Sequence, residues 1–259
     1  MRASFIITTF NAKSTIKTIL EQLILIVGID DEIIVVDDYS QDETISIIEM
    51  LNNKRVKLIK SKHIGRAKAL NKAINNSLGK FLFINDADDI SSETRIKDSL
   101  RALENGLDAI FGNALSIDNI NNKKIDLINN EMNLKNKEQK FLITNLNKNI
   151  FFKQNNFNHS TLAIKREKIF EIGLYDEKLE VCIDLDLYYR IILNKLRVGI
   201  CNKIFITRTI GASRVFSKYP QKKYLKSLII MRFKYRRLIK PSLKTIIHDI
   251  ILIFKYLTK

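Results

Sequence analysis

The chain of 259 residues is 46% hydrophobic and contains only two prolines and eight glycines, which excludes a disordered, collagen-like or low-complexity protein. Cys182 and Cys201 form no CxxC pair and no ligand cluster with the three histidines, so neither a disulfide framework nor a zinc site is expected, and a reducing, cytoplasmic compartment is the default. The net charge is +16, and the length suits one large domain or a domain with an appendage.

The first 110 residues alternate two patterns. A short apolar run, Ala3–Thr9, reads as a buried strand. Ile16, Ile19, Leu20, Leu23, Ile24 and Val27 then recur with helical spacing. Residues 33–36 form a β-branched strand that stops at Asp37 and Asp38; 44–51 reads as helix and 56–59 as strand. A helix is predicted over 66–78, with Ala67, Leu70, Ile74 and Leu78 on one face. A strand at 81–84 ends at Asn85-Asp86, a helix carries Ile96, Leu100 and Leu103, and a strand covers 108–111.

Strands and helices alternating at this spacing build a mostly parallel sheet covered on both faces, an α/β fold. Ligands of such sheets collect beyond the carboxyl ends of the strands. The polar clusters Phe10-Asn11, Asp37-Asp38 and 86–89 should therefore line one edge.

Residues 118–158 turn Asn- and Lys-rich, with a helix predicted over 137–146 between loops. Helices follow at 167–172 and 184–196. From residue 214 onward, 13 Lys and Arg stand against one acid, Asp249, whereas the first 213 residues hold 31 basic and 27 acidic side chains. An apolar stripe of Tyr224, Leu225, Leu228, Ile229, Tyr235, Leu238 and Ile239 is interrupted by Pro241. Leu243, Ile246, Ile247, Ile250, Phe254 and Leu257 continue it. A basic amphipathic tail of this kind can lie on an anionic membrane surface, bind a partner, or pack on the domain with its charges in water. No 18-residue uncharged apolar stretch and no signal-peptide pattern is seen.

The strongest local signal is Asp86-Ala87-Asp88-Asp89 directly after an apolar strand. Three carboxylates within four residues repel one another, and a cation or hydrogen-bond donors among them would relieve this. Oxygen ligands at alternate loop positions suit Mg²⁺ or Mn²⁺. The competing reading is a helix cap by Asp89 or Ser91.

These pieces together resemble the family 2 glycosyltransferases of the GT-A fold. The family's opening SIIIPTYN is met by SFIITTFN at residues 4–11, and its EIIVVDDGSTDGT by EIIVVDDYSQDET at 32–44. A GxxxARN-type helix is met by GRAKALN at 65–71, and the DxD segment by GKFLFINDADD at 79–89. Further on come His159-Ser160-Thr161, GLYDE at 173–177, and IDLDLYYR at 183–190, where the family usually has ED-x-D followed by an arginine.

The resemblance covers about residues 3–213. It implies a Rossmann-like glycosyltransferase domain over 1–213, with a nucleotide-binding half (1–112) and an acceptor-binding half (113–213), followed by the helical basic tail (214–259). By resemblance, Thr8 and Phe10 would contact the nucleotide, with Phe10 against the base, and Asp38 would bond a uracil-type ring. Arg66 or Lys68 would hold base or phosphate. Asp86 would approach the ribose, and Asp88 would ligate Mg²⁺ or Mn²⁺ at the diphosphate. Asp184 would be the catalytic base of an inverting transfer.

The implied reaction moves a sugar from a nucleotide sugar, UDP-linked by resemblance, to a growing surface glycan or lipid-linked acceptor, on the inner face of the cytoplasmic membrane. The alternative is a non-catalytic nucleotide- or glycan-binding module of the same fold. Nucleic acid is not an expected partner, since the body has no recognised reader motif.

Three positions depart from the family pattern. Tyr39 stands where DDGS has glycine, Thr8-Thr9 replaces Pro-Thr, and Ile183 replaces the acid before Asp184. The histidine that many relatives place after the last core strand has no counterpart at 208–213. His159 reads equally as a ligand contact or as a packed, hydrogen-bonded side chain; His63 and His248 stand alone and are assigned no role.

Overall fold

A computed structural model of the chain describes residues 2–118, 123–125, 142–143, 157–210, 221–236 and 243–258. In chain order these form β1 (Ala3–Thr9), α1 (Ile16–Ile26), β2 (Glu32–Asp37), α2 (Thr44–Met50), β3 (Val56–Lys60), α3 (Arg66–Asn75), β4 (Phe81–Asp86), β5 (Asp89–Ser91), α4 (Glu93–Glu104) and β6 (Ala109–Asp118). Then come β7 (Lys123–Ile125), β8 (Leu142–Ile143), a 3₁₀ turn (His159–Thr161), β9 (Ala163–Lys165), α5 (Arg166–Glu171), α6 (Ile183–Leu193), β10 (Val198–Ile210), α7 (Gln221–Arg236) and α8 (Leu243–Leu257).

One sheet runs β3-β2-β1-β4-β9-β6-β10-β5, with β7 paired to β6 and β8 to β10. Its long ladders, β1 with β2 and β4, β2 with β3, and β6 with β10, are parallel. The antiparallel pairings are short. This is the mostly parallel α/β architecture expected from the alternating pattern.

The period-2 geometry of a strand divides the core into two layers. Phe5 and Ile7, Ile33 and Val35, Phe81 and Phe83 point to one face, where they meet Ile19, Leu20 and Leu23 of α1, Ile48 of α2, and Leu100 and Leu103 of α4. Ile6, Ile34, Val36, Leu82 and Ile84 point to the other, against Leu70 and Ile74 of α3, Leu185 and Tyr188 of α6, and Met231 and Tyr235 of α7. Strands buried on both faces read as continuous apolar runs, which is how 33–36 and 81–84 appear in the sequence. The first helix of the basic tail thus belongs to the body's core.

Two sequence expectations need correction. The helix predicted over 66–78 stops at Asn75, and Leu78, expected on its buried face, is 73% exposed. Asn76 and Ser77 turn their side chains back onto the last carbonyls: Asn76 Nδ2 donates to Lys72 O at 2.9 Å and Ser77 Oγ to Ile74 O at 2.6 Å. This local competition with the helix ladder is characteristic of Asn and Ser.

The second correction lies in the segment where a helix was predicted over 137–146. Only Leu142–Ile143 falls among the described residues, and these pair antiparallel with β10, which supplies a strand partner that local periodicity does not reveal. The other residues of that predicted helix, together with Leu238, Ile239 and Pro241, lie outside the described residues. Among the described residues no helix is long and apolar enough to cross a membrane.

Candidate active site

Register places the polar strand ends on one edge, as expected. Thr9 of β1 stands beside Asp37 of β2, and Thr8 beside Asp86 of β4. Asp37 turns the chain sharply by accepting from Ser40 N at 2.9 Å and from Ser40 Oγ. Between them Tyr39 adopts φ +73°, the left-handed region that costs a side-chain-bearing residue about 1–2 kcal/mol and glycine nothing. The departure from the DDGS pattern therefore leaves a strained, half-exposed tyrosine at the site's edge. The β1 and β2 loops are clipped together: Asn11 N donates to Ser40 Oγ at 2.8 Å, and Gln41 N donates to Asn11 Oδ1 at 2.8 Å.

Asp38 is buried, and its carboxylate accepts from Ile64 N at 2.6 Å and Gly65 N at 2.9 Å. Gly65, at φ +85°, gives the turn that aims both amides at it. Asp38 thus fixes the loop that launches α3, while each of its oxygens keeps a second acceptor position. Phe10 is 39% exposed, and its ring lies 5.3 Å from that of His63. His63, given no role from sequence, sits at this edge.

Arg66, the first residue of α3, forms an ion pair with Asp86. Burial works against ionising Asp86, but the Arg66 guanidinium outweighs it and holds the carboxyl below the usual range. In turn Asp86, and more weakly Asp184 and Asp88, raise the Arg66 pKa. One guanidinium therefore senses carboxylates from the DxD segment and from α6. Lys68, the second candidate cation on this helix, is exposed.

Oxygens of Asp86, Asp88 and Asp89 lie within 4.8 Å of one another. Such an all-carboxylate set matches the oxygen preference of Mg²⁺ and Mn²⁺. Burial, with the neighbouring Asp86 charge, pushes the Asp89 carboxyl up to about 7. Neither Asp89 nor Ser91 caps α4, contrary to the capping alternative. Both belong to β5, and the cap is Ser92, whose Oγ accepts from Arg95 N at 3.1 Å. Asp89 instead accepts from Ser160 Oγ and lies 3.6 Å from the Arg208 guanidinium, its register partner on β10.

The sequence pattern assigns no role to Arg95. It is fully buried behind this loop, donating to Asn85 Oδ1 at 2.7 Å, Ser91 Oγ at 2.6 Å and Ile84 O at 2.5 Å. Burial brings its guanidinium down to about 9, against the pull of Asp89 and Asp86. Its sequence signal was faint: an arginine directly before Ile96 on the apolar stripe of a helix.

Asp184 and Asp186 occupy the first turn of α6, where the helix dipole favours acids, yet they diverge. The Asp184 charge acts on Arg66, His159 and Tyr175, and Arg66 in turn is paired with Asp86 at the end of β4. Asp186 is fully buried and accepts from Arg190 Nε at 2.8 Å, Lys234 Nζ at 2.8 Å and Tyr235 Oη at 2.6 Å. Ile183, at the position of the missing acid, is packed in the core.

His159 is buried, with Nδ1 3.2 Å from Tyr188 Oη and Nε2 3.0 Å from Tyr175 Oη. Burial, helped by the Arg66 charge and opposed by those of Asp184 and Asp86, brings it from 6.5 down to about 4. The unfolded chain therefore takes up a proton that the folded chain refuses. Stability is complete above pH 6.5 and falls as the pH drops towards 4, by up to about 3 kcal/mol. Urea unfolding of wild type and His159→Gln across this range should show a steeper acid loss for wild type; parallel curves would refute it.

The model of the family described as glycosyl transferase family 2 matches residues 4–173. An uncharacterized glycosyltransferase of Methanocaldococcus jannaschii is 30% identical over 179 residues, which cover 67% of this chain and 58% of that protein. The UDP-Glc:α-D-GlcNAc-diphosphoundecaprenol β-1,3-glucosyltransferase WfaP of Escherichia coli is 32% identical over 102 residues, 39% of this chain and 41% of the relative. The chain thus spans about half the length of these curated relatives. Among solved structures, residues 1–349 of Staphylococcus aureus TarS, in complex with UDP-GlcNAc, superimpose with a TM-score of 0.73 at 19% identity, covering 99% of this chain and 72% of that one. That likeness carries the GT-A fold, and the family match, over more than half of the sequence, carries the membership: this chain belongs to glycosyl transferase family 2.

Proposed function

We propose that the protein transfers a sugar from a UDP-sugar to a growing surface glycan or lipid-linked acceptor, with inversion at the anomeric carbon. The observation that carries this is the meeting of three motifs around Arg66, with Asp86 paired to it and the charges of Asp88 and Asp184 acting on it. Fixed charges at an edge beyond the parallel strands suit a diphosphate leaving group beside a base. The UDP-GlcNAc and UDP complexes of TarS favour a uridine nucleotide, and the diphosphoundecaprenol named for WfaP favours a lipid-linked acceptor.

In this reading Thr8, Phe10 and Asp38 receive the nucleoside, and Asp86 approaches the ribose. Arg66 meets the diphosphate and gives up part of its pairing with Asp86 to do so. Asp88 holds Mg²⁺ or Mn²⁺, which when bound neutralises the diphosphate. Asp184 takes the acceptor hydroxyl's proton as that oxygen attacks the anomeric carbon opposite the nucleotide, whose bond to the sugar breaks. The basic tail keeps the enzyme peripheral on the inner face of the cytoplasmic membrane, where a lipid-linked acceptor resides.

Calorimetric titration of UDP, GDP, CDP and dTDP, each with and without Mn²⁺, tests the donor side. UDP should bind in a Mn²⁺-dependent manner, and Asp88→Ala should abolish the metal dependence. Absence of binding by all four with metal would overturn the assignment and bring a glycan-binding module forward.

A further inference from the structure

We infer that α8, together with the outward face of α7, is a bilayer-docking surface that inserts apolar side chains among anionic lipids. The inference rests on the peripheral-membrane reading above and adds to it the face, the residues and the lipid chemistry.

The two helices form an antiparallel pair. Arg232 of α7 is ion-paired with Asp249 of α8, and ten residues earlier Lys222 Nζ lies 5.5 Å from the Tyr256 ring, seven residues later. Through this pairing α8 buries Leu252 and Asp249. The opposite side of α8 carries Leu243, Ile247, Ile250, Ile251, Phe254 and Leu257, all exposed, with Phe254 at 66%. At 100° per residue these six fall within one third of the helix circumference. They form a convex row about 20 Å long.

The outward face of α7 differs in kind. Its inward side, Leu225, Met231 and Tyr235, is in the core, while Lys222, Lys226, Ile230 and Phe233 are exposed on the other. Lysines interleaved with large apolar residues are the pattern of a helix lying in a headgroup layer, stems and rings below and charges above.

Charge selects the occupant. Residues 214–259 carry 13 basic side chains and one acid; Asp249 is buried against Arg232, and Lys223 and Lys234 pair with Glu180 and Asp186, so the other basic side chains make up the excess. A second copy would bring the same positive excess to the same face, whereas an anionic bilayer is complementary and extended.

The full chain should sediment with phosphatidylcholine vesicles containing phosphatidylglycerol, and weakly with phosphatidylcholine alone. Ile250→Glu/Phe254→Glu should lose sedimentation while still binding UDP with Mn²⁺ as wild type does. Lys222→Gln and Lys226→Gln should each weaken binding about fivefold. The chain has no tryptophan, so the indole of a Phe254→Trp variant reports this site alone. Its emission should shift to the blue and be quenched by brominated acyl chains.

Sedimentation of the double Glu variant like wild type would overturn the inference while leaving a purely electrostatic membrane association standing. Failure of the wild type to sediment with either vesicle would remove both the docking face and the peripheral-membrane reading. A dimer dissolved by the Glu substitutions, without vesicle binding, would make a second copy the occupant.

Discussion

Replacing Asp184 with asparagine is expected to lower sugar transfer by about 10²–10⁴-fold, the usual contribution of a positioned general base, while UDP binding stays at the wild-type affinity. The amide preserves size and the helix N-terminal position but cannot accept the acceptor's proton. Asp184 contributes less than Asp86 to the field at Arg66, so the cation proposed to meet the diphosphate keeps its main partner in the variant. The loss should therefore fall on kcat and not on donor KM. Transfer by Asp184→Asn at the wild-type rate, measured by UDP release with acceptor present, would remove this residue from the mechanism.

Much of this site was legible because a parallel sheet converts sequence order into position. Short apolar runs ending in Asp or Asn fix both a strand and the edge where its polar end emerges, so Thr8, Asp38 and Asp86 could be placed together before any coordinates. The contacts behind the edge were not legible. Arg95, Ser160 and Arg208 reach Asp89 or its loop from a helix, a 3₁₀ turn and β10, and only tertiary register brings Arg208 opposite Asp89. The 13-residue β10 has little periodic signal of its own. Its pairing with β6 shifts register twice between Ile200 and Ile206, which breaks the alternation a strand would otherwise display. The tail was legible as amphipathic, but periodicity does not say which apolar face finds a partner. In α7 that face joins the core, and in α8 six large residues stay outside.

Asp186→Ala is expected to destabilise the protein by about 3 kcal/mol, the lower end of the range for breaking a buried ion pair. The low end follows from the partners. Lys234 is 44% exposed at its side chain and can return to water, whereas Arg190, at 17%, and the Tyr235 hydroxyl are left with poorer alternatives. For a chain of this length such a loss lowers Tm by about 6–12 °C.

Burial alone would raise the Asp186 carboxyl, but the hydrogen bonds from Lys234 and Tyr235 and the Arg190 charge hold it below its ordinary range. Its stabilisation is therefore present at neutral pH and lost as the pH falls through the depressed value. The alanine variant should lack that portion of the acid dependence.

Two of the three partners come from α7, so the variant should also loosen the tail. Limited proteolysis ought to release α7 and α8 before the body is cut. A double-mutant cycle with Lys234→Ala separates the pair energy from packing loss. Unchanged Tm together with unchanged proteolysis would show that Asp186 neither supports the fold nor anchors the tail. The expected coupling has a functional consequence, because one turn of α6 carries both Asp186, bonded to the tail, and Asp184, whose charge acts on Arg66. Loss of the tail anchor should then cost transfer more than it costs UDP binding, which the proposed function assigns to β1, β2 and β4.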